Sequence, residues 1–277
     1  MATPIGNLED ITLRALRVLR EADLVAAEDT RRTAKLLNHY GIHAKLISLH
    51  AHNERRRVPD LLAFLASGKS IALVTDAGTP GASDPGMLLV AAAHQGLMRV
   101  EAVPGPSALT AALSVAGHAV ERFRFMGFPP IRSKDRECWL ADVAKTAEAV
   151  VFFEAPHRIR KTLTDLMTAS VNRPITIARE LTKVHEEVIA GPPVELLSRL
   201  REPRGEFTLV LAPMVEDGRT APPADQALVD QRIRDFLFHS TEIDAGSRRD
   251  QLRRVAEQLG VKTSAVYRAA ERLKNRS

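Results

Sequence analysis

Four short segments of this 277-residue chain concentrate Gly, Pro, Ser, Thr and Asp: Thr3-Pro4-Ile5-Gly6-Asn7, Asp76 to Gly86, Pro104-Gly105-Pro106-Ser107-Ala108, and Glu154-Ala155-Pro156-His157-Arg158. They fall at the strand ends where α/β proteins place ligand sites. Glycine at 78, 81 and 86 lets backbone approach a ligand closely, and Pro80 and Pro85 stiffen the loop before the ligand arrives. Such a loop reads its ligand through backbone groups. None of the four matches the dinucleotide pattern G-x-G-x-x-G or the phosphate loop G-x-x-x-x-G-K-[ST], which disfavours dinucleotides and ATP. One such loop alone could be an ordinary turn; four at one edge point to a cradle.

The segments that must position these loops alternate in character, the mark of α/β layers with largely parallel sheets. Leu24–Ala27, Lys45–Leu49, Ser70–Thr75 and Arg99–Val103 read as strands; Thr12–Glu21, Thr30–His39, Glu54–Ala66, Met87–Gln95 and Ser107–Ala116 read as helices. They make a first α/β domain over residues 1–117. A second, over 118–215, carries strands at Phe123–Gly127, Ala149–Phe153, Ile175–Arg179 and Glu206–Ala212, with helices near Asp135–Thr146 and His157–Ser170. Val184–Ala190 is expected as an antiparallel neighbour of Phe207–Leu211. Glu216–Ala224, rich in Pro, Gly and charge, reads as a linker.

Residues 225–277 read as an all-α domain with helices at Ala227–Phe238, Arg248–Leu259 and Ser264–Lys274. Ala256, Gly260 and Val266 stand at helix-turn-helix offsets, although a plain helical hairpin satisfies the same spacing. From Arg219 onward there are 12 Lys/Arg against 8 Asp/Glu, so much of the net charge of +5 sits in this tail. A basic balance favours an acidic partner such as nucleic acid. The single cysteine, Cys138, can form neither an internal disulfide nor a cysteine metal cluster, and no metal site is expected. There is no membrane-length apolar run and no signal-peptide pattern, so a cytoplasmic location and no membrane partner are expected.

The ordered motifs ATPIGNLEDIT, AEDTRRTAKLL, HNE, DAGTPGASDPG, PGPSA, FFEAPHRI, ARELTKVHEE and GEFTLVL carry a resemblance covering Ala2 to about Pro213. The chain resembles the ribosomal RNA small subunit methyltransferase I family of the tetrapyrrole methylase superfamily. The resemblance implies two α/β domains of the tetrapyrrole methylase type enclosing S-adenosylmethionine, a small C-terminal helix-turn-helix-like RNA-binding domain, and a homodimer. It implies 2′-O-ribose methylation of cytidine 1402 in 16S ribosomal RNA of the 30S subunit. Carried over position by position, the cofactor contacts are Pro4, Gly78, Thr79, Ala82, Ser107 and Ala108, with Phe153 (or Glu154) and Leu181 bracketing the adenosine. Family members carry an apolar strand just before Ala-Thr-Pro-Ile-Gly-Asn; here Met1 stands there, and that strand is expected upstream of the sequence given.

Methyl transfer to a ribose hydroxyl draws most of its rate from positioning two bound partners, helped by a group that takes the hydroxyl proton. Asp76, Glu154, Glu180, Lys183, His157 and His185 are within reach of strand ends, with Glu154 and Lys183 foremost and Asp76 beside them. Lys183 acts as a base only if burial lowers its pKa, and otherwise as a cation near phosphate. Asp76 could instead cap the glycine loop, and Glu180 could pair with Arg179 or Arg158. Arg31, Arg32, His52, Asn53 and Arg158 are the candidate RNA contacts, with Arg55–Arg57 either joining them or forming a solvated helix face. Among the 12 aromatics, Tyr267 is a candidate for base stacking. Two rival readings share the sequence: methylation of a tetrapyrrole or corrin precursor, and an S-adenosylmethionine-sensing DNA-binding regulator.

Overall fold

Thr12 opens the first helix because its hydroxyl accepts the Ala15 amide at 3.1 Å, and α1 (Leu13–Glu21) then buries Ala15, Leu16 and Leu19 on one face. The structure is a computed structural model, and it describes residues 1–81, 84–169, 171, 173–200 and 203–214. The expected C-terminal helices and the linker lie outside the described residues.

Three parallel strands, β1 (Leu24–Ala27), β2 (Leu46–Ser48) and β3 (Ile71–Val74), form a sheet in the order β2-β1-β3. The crossovers are α2 (Thr30–His39) and α3 (Glu54–Ala66). The central strand β1 is covered on both faces: Val25 and Ala27 join the cluster of Leu16, Leu19, Leu36 and Leu37, whereas Ala26 joins that of Leu49, Leu61 and Leu89. Leu89 comes from α4 (Met87–Gln95), which follows the glycine loop.

Five strands make the second sheet: β4 (Phe123–Phe125), β5 (Ala149–Glu154), β6 (Ile175–Arg179), β7 (Glu187–Gly191) and β8 (Phe207–Leu211). Their order is β4-β5-β8-β6-β7. In β8 every side chain is buried, because Phe207, Leu209 and Leu211 face α6 (Ser133–Lys145), α7 (Ile159–Thr168) and α8 (Pro193–Arg199), while Val210 faces α5 (Ala108–Val115) on the other side. Thus α5, which begins at the Pro-Gly-Pro-Ser loop, packs on the second sheet.

Three expectations need correction. The second sheet is mainly antiparallel, since only β4–β5 is parallel. β7 and β8 are not neighbours: β6 lies between them and pairs with both, so β8 is free to pair with β5 as well. Arg99–Val103 forms no strand; Val103 receives one backbone bond, from the Ala2 amide at 3.0 Å, and one such bond does not make a ladder. The helix α8, which starts at Pro193 as its first residue, was not anticipated.

Phe152 is fully buried with its ring 5.1 Å from that of Trp139 in an edge-to-face contact. Phe152→Ala is expected to cost about 3–5 kcal/mol in urea unfolding.

Candidate functional site

The first loop is held from both sides. Thr3 and Gly78 exchange backbone hydrogen bonds (2.9 and 3.0 Å), the Thr3 hydroxyl donates to the Thr75 carbonyl at 3.1 Å, and the Met1 amino group donates to the Leu73 carbonyl at 2.8 Å. This joins Pro4 to the glycine loop. Gly78 has φ +80°, a left-handed conformation that a side chain would strain. The Thr79 hydroxyl donates to the Pro106 carbonyl at 3.0 Å, so the third loop, with Ser107 just before α5 and Ala108 starting it, is stitched to the second.

The opposite wall comes from the turn after β6. A Cβ on Gly6 would stand 2.5 Å from Lys183 Cγ and 2.9 Å from the Leu181 carbonyl oxygen, and the Asn7 amide donates to the Thr182 hydroxyl at 2.9 Å. Only glycine permits that approach. Glu180 and Thr182 themselves hold positive φ (49° and 67°), a conformation costing each roughly 1 kcal/mol or more, which tertiary contacts must offset. Between these walls lies a cavity of about 20 Å³ lined by Ile5, Ala108, Ala178, Leu181, Glu206 and Thr208. A larger surface hollow of about 350 Å³ lies between α2 and β2, from Ala34 to Leu46, and contains none of the expected site residues. The small seam is the better candidate because the glycine loops converge on it.

Thus Pro4, Gly78, Thr79, Ser107, Ala108 and Leu181 come together at one seam. Phe153 is set aside from them on the second sheet, where it pairs across with Thr208, which lines the cavity. Ala82 lies outside the described residues.

The charged candidates have structural partners. Glu154 has no exposed side-chain surface; its carboxylate accepts from the Ala155 amide (2.8 Å) and the Thr162 hydroxyl, and Arg158 Nε lies 3.4 Å away. Lys183 donates to Glu180 (2.8 Å) and Glu206 (3.1 Å). Partial burial works against its charge, but these hydrogen bonds prevail and raise its pKa above the ordinary lysine value. Lys183 therefore stands as a cation. Asp76 accepts the Asp29 amide at 2.9 Å, and its other oxygen lies 3.5 Å from Arg32 Nε. Arg31 folds back on Asp29, donating from Nε (3.1 Å) and Nη2 (2.9 Å), yet its side chain stays 88% exposed. The side chain of Asn53 closes its own turn through the His50 amide and the Ser48 carbonyl, while His52 is exposed.

Sequence reasoning missed Glu54. Its buried carboxylate accepts the amides of Gly86 (3.0 Å) and Leu88 (2.8 Å), so it anchors the far end of the glycine loop to the start of α4. Glutamate in the His-Asn-Glu motif was the only signal available. Among the described residues, no group of three or more His, Cys, Asp or Glu side chains is arranged to hold a metal. Nor is any described helix long and apolar enough to cross a membrane.

The family model of the Tetrapyrrole (Corrin/Porphyrin) Methylases matches residues 2–196. The chain belongs to this family. It is a methyltransferase, and the family implies S-adenosylmethionine as methyl donor. It is 42% identical over 271 residues to the "Ribosomal RNA small subunit methyltransferase I" of Synechocystis sp., a match spanning 96% of this chain and 94% of that protein. The Thermotoga maritima protein of the same name is 46% identical over 214 residues, which are 76% of this chain but 96% of that protein. Among solved structures, uroporphyrin-III-C-methyltransferase from Thermus thermophilus superposes with a TM-score of 0.53 at 19% identity, over 76% of this chain and 91% of that one. That likeness speaks for the fold alone.

Ile5, Ala108, Ala178 and Leu181 give the seam an apolar part, Glu206 and Thr208 a polar one, and the glycine loops add backbone groups, a mixture that suits the adenosyl and methionyl parts of this donor. The backbone groups supply fixed hydrogen-bond partners.

The hydrogen bonds from Arg31 to Asp29, side chain and backbone, push the Asp29 carboxyl down to about 2. Because the folded pKa is depressed, the stabilisation it brings is complete above about pH 4 and is lost as pH falls towards 2. In a carbon-13 carboxyl titration, Asp29 is expected to titrate near 2 in the native chain and to move back towards 3.8 in Arg31→Ala.

Proposed function

We propose that the chain methylates the ribose 2′-oxygen of cytidine 1402 in 16S ribosomal RNA, acting on the 30S subunit in the cytoplasm as a homodimer. The near full-length match to a protein named for small-subunit ribosomal RNA methylation carries this reading. The exposed side chains of Arg31, paired with Asp29, and Arg32, beside Asp76, add a surface for phosphate.

The bound donor supplies an electrophilic methyl group. The chain's own part is to bind and to orient. Pro4, Gly78, Thr79, Ser107 and Ala108 hold the donor from one wall and Leu181 from the other, with Phe153 on the adjoining sheet face; Ala82, outside the described residues, is a further contact that the family resemblance implies. A cavity of about 20 Å³ has room for about one water, so the side chains that line it must move outward to admit the donor. Lys183, held positive by its two carboxylates, braces the second wall rather than taking a proton. Of the carboxylates considered for the hydroxyl proton, Asp76 is the more accessible, with 26% of its side chain exposed against none for Glu154. Glu154 holds structure instead. Arg158, His52 and Asn53 flank the RNA path, the last by shaping its turn.

The deciding experiment offers the chain labelled donor with unmodified 30S subunits or with a reduced tetrapyrrole, and maps the methylated RNA by mass. A single added methyl on the ribose of cytidine 1402 is expected. A labelled macrocycle with unlabelled RNA would overturn the reading in favour of tetrapyrrole chemistry, and label at another nucleotide would overturn the site.

A further inference from the structure

The buried ionic network at Glu154 does no chemistry in the reading above, so its purpose lies in what it holds. Glu154 accepts the Thr162 hydroxyl, whose oxygen in turn accepts Arg136 Nη2 at 2.8 Å; Arg136 Nε donates to Asp165 at 2.7 Å. Both arginines then reach one short loop. Arg158 donates to the Pro129 carbonyl, and Arg136 donates to the Pro130 carbonyl at 3.2 Å. The loop's start is tied to the sheet by the Phe153 amide, which donates to the Gly127 carbonyl at 2.8 Å.

A loop fixed this firmly nevertheless turns its apolar side chains outward. Phe128 is 53% exposed and Ile131 is 84% exposed. Arg124 pairs with Val150 and so lies on the opposite sheet face, which leaves the exposed Arg132 and Lys134, directly after the loop, as the cations that accompany Phe128. An aromatic face among cations is how proteins grip unpaired nucleic acid, the ring stacking on a base and the cations tracking phosphate.

The loop also lies in line with the seam. Ala178 and Thr208, both lining the cavity, pair across adjacent strands, and Thr208 pairs onward with Phe153. Directly paired residues share a sheet face. The Phe153 ring is 5.5 Å from that of Phe128. The row Ala178, Thr208, Phe153, Phe128 therefore runs from the cavity outward to an exposed aromatic.

We propose that Phe128 is a base-stacking platform for an unpaired nucleotide of the RNA substrate beside the methylated ribose, and that Glu154, Arg158 and Arg136 are positioning residues that present it. This inference rests on the RNA reading above. The test uses the full chain as native protein, Phe128→Ala and Phe128→Trp, with two readouts: KM and kcat on unmodified 30S subunits, and anisotropy of a fluorescein-labelled single-stranded RNA dodecamer. Phe128→Ala is expected to raise both KM for 30S and the dodecamer Kd about tenfold, with the KM for S-adenosylmethionine within about twofold of native. Phe128→Trp should restore both. Unchanged RNA parameters in Phe128→Ala would overturn the proposal, as would a rise confined to the KM for S-adenosylmethionine, which would make Phe128 an adenine contact. If the native chain itself fails to methylate 30S, the RNA reading has failed and the proposal falls with it; if the native chain succeeds and Phe128→Ala matches it, the platform alone has failed.

Discussion

The site depends on the first seven residues being gripped on two sides at once. On one side, Met1, Ala2 and Thr3 are bonded to Leu73, Val103 and Gly78; on the other, Gly6 and Asn7 close against Leu181–Lys183. The first group lies with the parallel sheet and the second with the mixed one. A donor site between two walls needs the walls in register, and this segment supplies that register with backbone bonds and one Cβ-free contact. The left-handed Glu180 and Thr182 are tolerable for the same reason, since Gly6 and the Thr182 hydroxyl bond hold the turn they distort.

A second theme is that carboxylates suited to chemistry are largely spent on geometry. Glu54 gathers the amides at the start of α4, Glu154 organises the arginines beneath the Phe128 loop, and Glu180 neutralises Lys183 while accepting the Glu206 amide at 2.9 Å. In methyl transfer from a sulfonium, positioning supplies most of the acceleration, so a site rich in loop anchors and sparing of free bases is chemically consistent. Asp76 fits both roles, with one oxygen on the Asp29 amide and the other near Arg32.

How much of this was legible follows from the range of each interaction. Elements set by local pattern, such as β1 at Leu24–Ala27 or α2 behind its Asp29 cap, were read correctly because caps and periodicity are sequence-local. The loops carrying Gly78, Thr79, Ser107 and Ala108 were read as one site, and they do meet. What failed needed a partner distant in sequence. Arg99–Val103 has strand composition but lacks a neighbour to make a ladder, β8 chose β5 and β6 over β7, and Glu54 acts on amides more than thirty residues away. Glu154 is a different case: its type suits proton transfer, and its partners Thr162 and Arg158 are near in sequence, but that they enclose its carboxylate shows only in the fold. Phe128 passed unnoticed because exposure is invisible in sequence, and only the two arginines beneath it show that the exposure is held in place.

The central claim is that donor binding occurs at the seam between the first loop and the turn after β6, and amide hydrogen exchange with and without S-adenosylmethionine tests it most directly. Added donor should slow exchange together in peptides covering residues 3–9, 76–81, 105–110 and 178–184, while the hollow near residues 34–46 stays unchanged. Protection centred on residues 34–46, with the loop peptides unaltered, would contradict the account.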